Sequence, residues 1–257
     1  MQIEMSKKVV IVTGGCQGIG RGIAARFLAE GAEVVVCARH PPTAPVSSGD
    51  RMATFLAADV REPSQVETVV QGTLERFGRI DVLVNNAGGS PPADAATASP
   101  RFSASIINLN LVAPLVFAQQ VNAIMQRQTE GGVIVNIASV SAIRPSPGTA
   151  AYGAAKAGLI SLTQSLAVEW APKVRINAVV AGIIRTEKAH LHYGDEAAMA
   201  RIAKTVPLGR MGEPDDVADA CLYFASPLAR YVTGACLTVH GGGEAPAFLG
   251  AAQPSKP

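Results

Sequence analysis

The 257-residue sequence predicts a single α/β domain in which a seven-stranded parallel sheet carries helices on both faces. Short runs of Val, Ile and Leu alternate with longer segments of helical periodicity, a pattern typical of parallel strands joined by crossover helices. Apolar residues make up 48% of the composition and aromatic residues only 5%, so the core must be aliphatic, as in strands buried on both faces. Because no segment has the composition of a linker, the strands are predicted to belong to one doubly wound sheet.

The predicted strands and helices alternate along almost the whole chain. Residues 8–12 form the first strand, followed by a glycine turn and a helix that ends at Gly31. A later helix begins at Pro63 and ends at Gly78, with apolar residues at helical spacing between them. The other predicted strands are residues 33–39, 53–60, 80–89, 131–139, 174–180 and 235–240, and the other predicted helices are residues 102–128, 149–170 and 214–226.

We expect the domain to span residues 1–243, with a polar flap at about residues 186–206 and a flexible tail over residues 244–257. The N-terminal sequence MQIEMSKK lacks the features of a signal peptide, and no apolar run reaches the length of a membrane span. The net charge of +2, with scattered basic residues, does not indicate a nucleic-acid partner. The four cysteines show no metal-ligand spacing. The predicted protein is therefore cytoplasmic, with no metal site and no membrane partner.

A glycine-rich turn joins the first strand to the first helix. In the segment TGGCQGIG, Thr13 and Gly14 are followed by Gly18 and Gly20. Glycines let the backbone turn sharply and approach a pyrophosphate, whose charge faces the helix N-terminus. Glycines also collect in turns that bind nothing, but the strand–turn–helix context favours a dinucleotide site.

The end of the second strand bears on the type of dinucleotide. A carboxylate there would bind the ribose 2′-hydroxyl of NAD(H) and repel a 2′-phosphate. This sequence has Ala38 followed by Arg39, and a guanidinium matches the geometry of a phosphate. NADP(H) is therefore favoured over NAD(H), although Arg39 is also compatible with an ordinary solvated residue at a strand end.

Three polar residues predict proton-transfer chemistry at the carboxyl edge of the sheet. Tyr152 and Lys156 lie four apart at the start of a helix, so both side chains project from one face. A lysine ammonium beside a phenol is expected to lower the pKa of the phenol, which then exchanges a proton with a carbinol oxygen. Ser139 ends the fifth strand, where its hydroxyl would hold the substrate oxygen. The YxxxK pattern alone also fits an exposed pair formed by chance.

Taken together, these motifs make the sequence resemble the short-chain dehydrogenase/reductase family, which has a Rossmann-type fold, over nearly its whole length. The matching elements are TGGCQGIG, Asp59, NNAG at residues 85–88, Asn110, Ser139, YGAAK and PLGRMGEPDDVA at residues 207–218. The resemblance implies that Asp59 and Val60 cap the adenine and that Asn110 kinks the long helix and holds a water near Lys156. The implied catalytic residues are Asn110, Ser139, Tyr152 and Lys156. The implied cofactor-binding residues are Thr13, Gly14, Gln17, Gly18, Ile19, Gly20, Arg39, Asp59, Val60, Asn86, Ala87, Gly88, Tyr152, Lys156, Gly182, Ile184 and Thr186.

Two positions depart from the family pattern. Ala181 stands where the family usually has proline, and His240 stands where it tends to have aspartate. The first change removes a fixed φ angle and predicts a more mobile nicotinamide loop. The second lies near the last strand, which in the family commonly packs against another subunit. The resemblance implies a homotetramer built through the two long helices and this strand.

The substrate is the least constrained part of the prediction. We expect reversible conversion of a ketone and a secondary alcohol, running as an NADPH-dependent carbonyl or 3-oxoacyl-thioester reductase. Basic residues favour an anionic substrate unless they are simply solvated loop charges: Arg144, Arg185, Lys188, His190 and His192. The alternatives are an NAD-dependent alcohol dehydrogenase of the steroid or sugar type, a metal-dependent dehydrogenase, and a non-catalytic dinucleotide sensor.

Overall fold

Seven parallel strands form the central sheet of the computed structural model, which describes residues 3–246, Phe248 and Ala252. The sheet order is β3-β2-β1-β4-β5-β6-β7, so the chain reverses direction across the sheet between β1 and β4. Ligands of such sheets bind at this switch point, beyond the carboxyl ends of the strands. The strands are β1 Val9–Thr13, β2 Glu33–Ala38, β3 Thr54–Ala57, β4 Val82–Asn85, β5 Gly132–Ser139, β6 Val174–Ala181 and β7 Cys236–Val239. The predicted fold class is confirmed.

Helices cover both faces of the sheet and divide the aliphatic core into two layers. The helices are α1 Gly18–Ala29, α2 Pro63–Phe77, α3 Pro100–Ile107, α4 Ala113–Met125, α5 Ala150–Glu169, α6 His190–Tyr193, α7 Glu196–Ala203 and α8 Pro214–Ala225. One layer contains Phe27 of α1 and Phe224 of α8, and the other contains Val69 of α2 and Phe117 of α4. The predicted tail, residues 244–257, lies mostly outside the described residues.

Two segments differ from the prediction. The stretch after β2, predicted as a loop, contains a small antiparallel hairpin that pairs Ser47–Ser48 with Arg51–Met52. The predicted helix 102–128 begins at Pro100 and is interrupted by a π-helical turn at Asn108–Val112. From Pro100 to Met125 the chain is long and apolar enough to cross a membrane by length and composition. In this fold, one side of that segment instead packs into the core through residues such as Phe117.

A chain of buried amides fixes α5 against the sheet. Asn85 Nδ2 donates to Asn136 Oδ1 over 3.0 Å and to the Pro114 carbonyl over 3.1 Å. Asn136 Nδ2 donates to Thr163 Oγ1 of α5 over 2.9 Å. Buried polar groups that are fully hydrogen-bonded fix the relative position of the elements they join. This network therefore fixes the position of α5, which carries Tyr152 and Lys156, relative to the sheet.

Candidate active site

The glycine turn after β1 is shaped by backbone that side chains would obstruct. Gly14 has φ +64° and Gly18 has φ +52°, both in the left-handed region that favours glycine. A Cβ at Gly20 would clash with the Gly14 carbonyl oxygen and the Asn86 side chain. The turn thus presents backbone rather than side chains at the N-terminus of α1, as a bound pyrophosphate requires. Ile19 beside it is half-buried and packs against the core.

Residues after β4 clamp this turn to the sheet. Thr13 Oγ1 accepts hydrogen bonds of 2.9 Å from the backbone N–H groups of both Asn86 and Ala87. Asn86 Nδ2 donates in return to the Thr13 carbonyl over 2.9 Å. The side-chain amide of Asn86 is therefore occupied in holding the turn, and its contact with the cofactor stays a prediction. The sequence analysis did not predict these hydrogen bonds, which explain why Thr13 and Asn86 accompany the glycine turn.

The side chains at the ends of β2 and β3 form the outer part of the predicted adenosine site. Arg39 is exposed immediately after β2. Asp59 forms a bidentate ion pair with Arg61, at 2.9 Å from Nε to Oδ1 and 2.5 Å from Nη2 to Oδ2. This pairing holds the pKa of Asp59 below its usual value. Val60 is buried in the core, so an adenine contact by its side chain is limited to its edge.

Lys156 is buried beside Tyr152 and Gly88. Its side chain comes from the first turns of α5, and Nζ donates to the Ile137 carbonyl of β5 over 2.7 Å. Burial lowers the pKa of this ammonium to about 8. A Cβ at Gly88 would lie 3.3 Å from Nζ, so the absence of a side chain there leaves the ammonium room. The Ile137 carbonyl was not predicted, because a backbone acceptor leaves no trace in residue type.

Asn110 lies in the π-helical turn and joins the same group. Its Oδ1 accepts from the Gly89 N–H, and its Nδ2 donates to the carbonyls of Gly89 and Ile106, all at 2.9 Å. π-turns are frequent at functional sites because they redirect one residue of a helix. The expected interruption of the long helix is present. The Asn110 side chain hydrogen-bonds the backbone of Gly89, next to Gly88. Its water-holding role stays a prediction.

Ser139 and Tyr152 face each other across the end of β5. Ser139 Oγ accepts from the Ser141 N–H over 3.2 Å, which leaves its own proton free to be donated. A chain of hydroxyls holds the following loop onto α5: Ser146 Oγ donates to Ser141 Oγ over 3.0 Å and lies 2.6 Å from Thr149 Oγ1. The loop after Ser139 is thus fixed beside the helix that carries Tyr152.

The pKa of Tyr152 differs from the expectation. Burial raises the pKa of this phenol above its usual value, and the Ser139 hydroxyl only partly offsets that effect. Lys156 Nζ lies 5.7 Å from the centre of the Tyr152 ring, and its hydrogen bond goes to the Ile137 carbonyl. The expected lowering by Lys156 is wrong for the protein alone, because burial disfavours both ions.

The loop after β6 is supported by the PLGRMGEP segment. Ile184 pairs with Gly212 as an isolated parallel bridge, and Arg185 N donates to the Gly212 carbonyl over 2.7 Å. A Cβ at Gly212 would meet the end of the Ile184 side chain, so the two residues are in close contact at this bridge. Gly182 in turn packs directly against His240, and its N–H donates to the Val239 carbonyl over 2.9 Å. The two departures from the family pattern are therefore close together: His240 contacts Gly182, and Ala181 precedes Gly182 in the chain.

The flap contacts the glycine turn directly. Glu187 Oε1 accepts a 2.8 Å hydrogen bond from the Gly18 N–H, at the N-terminus of α1. Lys188 Nζ donates to Gln17 Oε1 over 2.7 Å, and the Thr186 side chain lies beside Gly18. An anion is thus bound at the amide where the sequence predicts phosphate binding. Glu187 was missed because a single exposed carboxylate in a flap carries no pattern.

The basic residues expected to bind an anionic substrate are partly neutralised. Arg144 Nη2 lies 2.6 Å from Glu244 Oε1, and Arg185 Nη2 donates to both carboxylate oxygens of Glu196 at 2.8 and 2.9 Å. A cleft of about 610 Å³ lies between the loop after β4 and the loop after β5. The two loops are joined by a hydrogen bond of 2.8 Å from Ala93 N to the Gly148 carbonyl. Its lining is Pro92, Ala93, Asp94, Ala95, Pro147, Gly148 and Ala150.

The sequence and the fold were compared with those of known proteins. A family model described as enoyl-(acyl carrier protein) reductase matches residues 14–244. The chain is 35% identical over 249 residues to a 3α-hydroxysteroid dehydrogenase of Mediterraneibacter gnavus, covering 94% of this chain and 98% of that protein. It is 34% identical over 246 residues to a probable 2,4-dienoyl-CoA reductase of Bacillus subtilis, covering 93% and 97%. The ligand-free structure of Thermoplasma acidophilum aldohexose dehydrogenase superimposes with a TM-score of 0.86 at 34% identity, covering 98% of both chains.

These similarities define the class of the protein. The fold, the glycine turn and the matches over nearly the full length all agree on a dinucleotide-dependent oxidoreductase. The chain belongs to the short-chain dehydrogenase/reductase family and is an enzyme whose cofactor is a nicotinamide dinucleotide, NAD(P). The three relatives above carry steroid, acyl-thioester and sugar names, so the family alone leaves the substrate open.

Proposed function

We propose that this enzyme interconverts a ketone and a secondary alcohol with NADP(H), running as a carbonyl reductase. The observation that carries the proposal is the packing of Lys156 and Asn110 around Gly88, beside Tyr152 and Ser139. These groups converge at the carboxyl edge of the sheet, where ligands of doubly wound folds bind. When bound, the nicotinamide supplies or accepts the hydride.

The chain's own residues supply the proton chemistry. Ser139 has a free hydroxyl proton with which to hold the substrate oxygen, since its Oγ already accepts from the Ser141 N–H. Tyr152 donates its phenolic proton to that oxygen during reduction. Because burial raises the pKa of Tyr152, the phenol is protonated at neutral pH and ready to act as the acid. The Lys156 ammonium, with its pKa lowered to about 8, stabilises the phenolate that results.

The glycine turn and its neighbours fit a dinucleotide. Gly14, Gly18 and Gly20 leave a cradle of backbone that side chains would fill, and the Gly18 N–H already holds an anion. We assign the remaining predicted contacts by position. Asp59 and Val60 face the adenine, and residues 86–88 face the adenosine ribose. Lys156 binds the nicotinamide ribose, Ile184 and Thr186 contact the carboxamide, and Gly182 completes the cofactor-binding set. Gln17 and Ile19 border the turn.

The preference for NADP(H) rests on the end of β2. Arg39 is exposed there, and the position before it is Ala38, which cannot repel a 2′-phosphate. The guanidinium is thus available to pair with a phosphate. Replacing Arg39 with aspartate is expected to lower kcat/KM for NADPH by at least about tenfold and to favour NADH, because a charge-assisted hydrogen bond is exchanged for repulsion.

We also propose a cytoplasmic homotetramer. Exposed apolar side chains support subunit contacts along the long helices and on the edge strand: Ile107, Val112, Val168 and Leu237. Clustered exposed apolar surface is typical of subunit interfaces. Light scattering coupled to gel filtration measures the mass directly, and a monomer at micromolar concentration would contradict the proposal.

The central experiment is reduction of a ketone panel, including 3-oxoacyl thioesters, steroids and sugars, with NADPH and NADH in parallel. Tyr152→Phe is expected to lower kcat by about 1000-fold, since general acid catalysis contributes factors of that order. Tyr231→Phe is the matched control, because Tyr231 is fully exposed and precedes Val232, whose carbonyl accepts from Arg175 at the amino-terminal end of β6. A Tyr152→Phe enzyme that keeps most of its turnover would overturn the assignment.

A further inference from the structure

An ion pair joins the loop after Ser139 to the segment after β7. Arg144 lies in the loop that follows Ser139, and Glu244 lies four residues after His240, which packs against Gly182 of the nicotinamide loop. Arg144 Nη2 and Glu244 Oε1 are 2.6 Å apart, across 100 residues of sequence. The loop after Ser139 and the segment after His240 are therefore joined by opposite charges.

The pair borders the same space as the catalytic tyrosine. Tyr193 of the flap is half-buried; burial raises the pKa of its phenol, while Arg144 lowers it and Glu244 raises it. Tyr193 also raises the pKa of Tyr152, so the flap phenol is close to both the ion pair and the catalytic phenol. The side chains of Arg144 and Glu244 are 42% and 30% exposed, so both are open to solvent.

The other arginine expected on the substrate side is also paired with a carboxylate. Arg185 of the flap is bound by both carboxylate oxygens of Glu196. The cleft between the two loops is lined by Pro, Ala and Gly, with Asp94 as its charged residue. An anionic substrate would meet arginines that already have carboxylate partners, and it would meet those carboxylates as like charges.

We propose that Glu244 is a specificity-determining residue that cancels the charge of Arg144, so that the enzyme acts on uncharged ketones and secondary alcohols and discriminates against anionic ones. This inference rests on the proposed function and names its substrate class. A free guanidinium at this place would bind a carboxylate or phosphate by paired hydrogen bonds. With Glu244 in place, an anion must displace one carboxylate and then lie beside it.

The test uses two substrates with the same carbon skeleton, ethyl 3-oxobutanoate and 3-oxobutanoate, which differ by one negative charge. The measured quantity is the ratio of kcat/KM for the anion to kcat/KM for the ester, with NADPH. Glu244→Gln is expected to raise this ratio about tenfold, mainly through a lower KM for the anion, since a hydrogen bond between charged groups is worth about that factor. The double variant Arg144→Gln/Glu244→Gln should return the ratio to that of the wild type.

Glu130→Gln is the matched control, because Glu130 also pairs with cations, Lys8 and Arg79, but at the opposite, amino-terminal edge of the sheet. Its ratio should equal that of the wild type. An active enzyme whose ratio does not change in Glu244→Gln, or whose double variant keeps the gain, would overturn the role of Glu244. Absence of turnover with every ketone of the panel would overturn the proposed function and this inference with it.

Discussion

The two sides of the active-site edge are built by different means. On the cofactor side, β1, α1 and the segment after β4 meet through backbone hydrogen bonds to Thr13 and through close approaches at Gly14 and Gly20. On the substrate side, the loops and the flap meet through exposed ion pairs such as Arg144–Glu244 and Arg185–Glu196. The cofactor side admits few residue types, whereas the substrate side admits any pair of opposite charges that reach one another.

This difference explains why the two sides leave unequal traces in a sequence. A position where a Cβ has no room must be glycine, so the turn appears as a motif with fixed spacing. An exposed ion pair requires no particular spacing, and Arg144 and Glu244 lie 100 residues apart. The cofactor side can therefore be predicted from sequence motifs. The substrate cannot, because the contacts that select it do not form a short motif.

The largest effect is expected at Lys156, which lies between the two sides. Lys156→Met should lower kcat/KM by about 1000-fold, since proton transfer loses its cation. It should also stabilise the fold at pH 7. The shift of the lysine pKa from 10.5 to about 8 corresponds to roughly 3 kcal/mol of burial penalty, against about 2 kcal/mol for the lost hydrogen bond from the charged ammonium to the Ile137 carbonyl. Urea unfolding followed by Trp170 fluorescence measures the free energy of unfolding.

The pH dependence gives the sign of this effect. Between pH 8 and pH 10.5 the unfolded lysine binds a proton that the folded one has released, so the stability of the wild type rises with pH in that window. The advantage of Lys156→Met should shrink across the same window. Lys173→Met is the matched control, because Lys173 also donates to a backbone carbonyl but is exposed. A Lys156→Met protein less stable than the wild type at pH 7 would contradict the burial argument.

A smaller loss of function is expected when a glycine of the cofactor side, Gly20, is replaced by alanine. Gly20→Ala should weaken cofactor binding about 100-fold, because its methyl group would displace Gly14 and Asn86 from the turn. Gly72→Ala in α2 is the control, since its Cβ would make an ordinary 3.5 Å contact with Leu56 Cδ1. The control should bind cofactor normally and gain about 0.5–1 kcal/mol of stability, as alanine does in a helix. Titration calorimetry with NADPH measures the affinity of each variant. Equal affinities of Gly20→Ala and Gly72→Ala would contradict the claim that the glycines of the cofactor side are specifically required.

Some features of the fold and the site were predictable from the sequence, and others were not. The sheet, the helices and the positions of Ser139, Tyr152 and Lys156 follow from periodicity and spacing, because each reflects local chain geometry. The direction of the Tyr152 pKa shift did not follow, since it depends on burial that only the assembled fold provides. The carbonyl of Ile137 and the carboxylates of Glu187 and Glu244 were missed for a related reason: one has no side-chain signature, and the others no pattern.

The smallest effect is expected where the two sides touch. The Glu187 carboxylate of the flap accepts a hydrogen bond from the Gly18 N–H, an amide that a bound pyrophosphate is expected to approach. Glu187→Ala removes this negative charge from the helix N-terminus and should tighten NADPH binding about threefold at low salt, an effect that shrinks as ionic strength rises. Glu67→Ala, an exposed carboxylate of α2, controls for the change in net charge. Weaker binding by Glu187→Ala would show that the flap contact helps to hold the cofactor, and the separation of the two sides would then be incomplete.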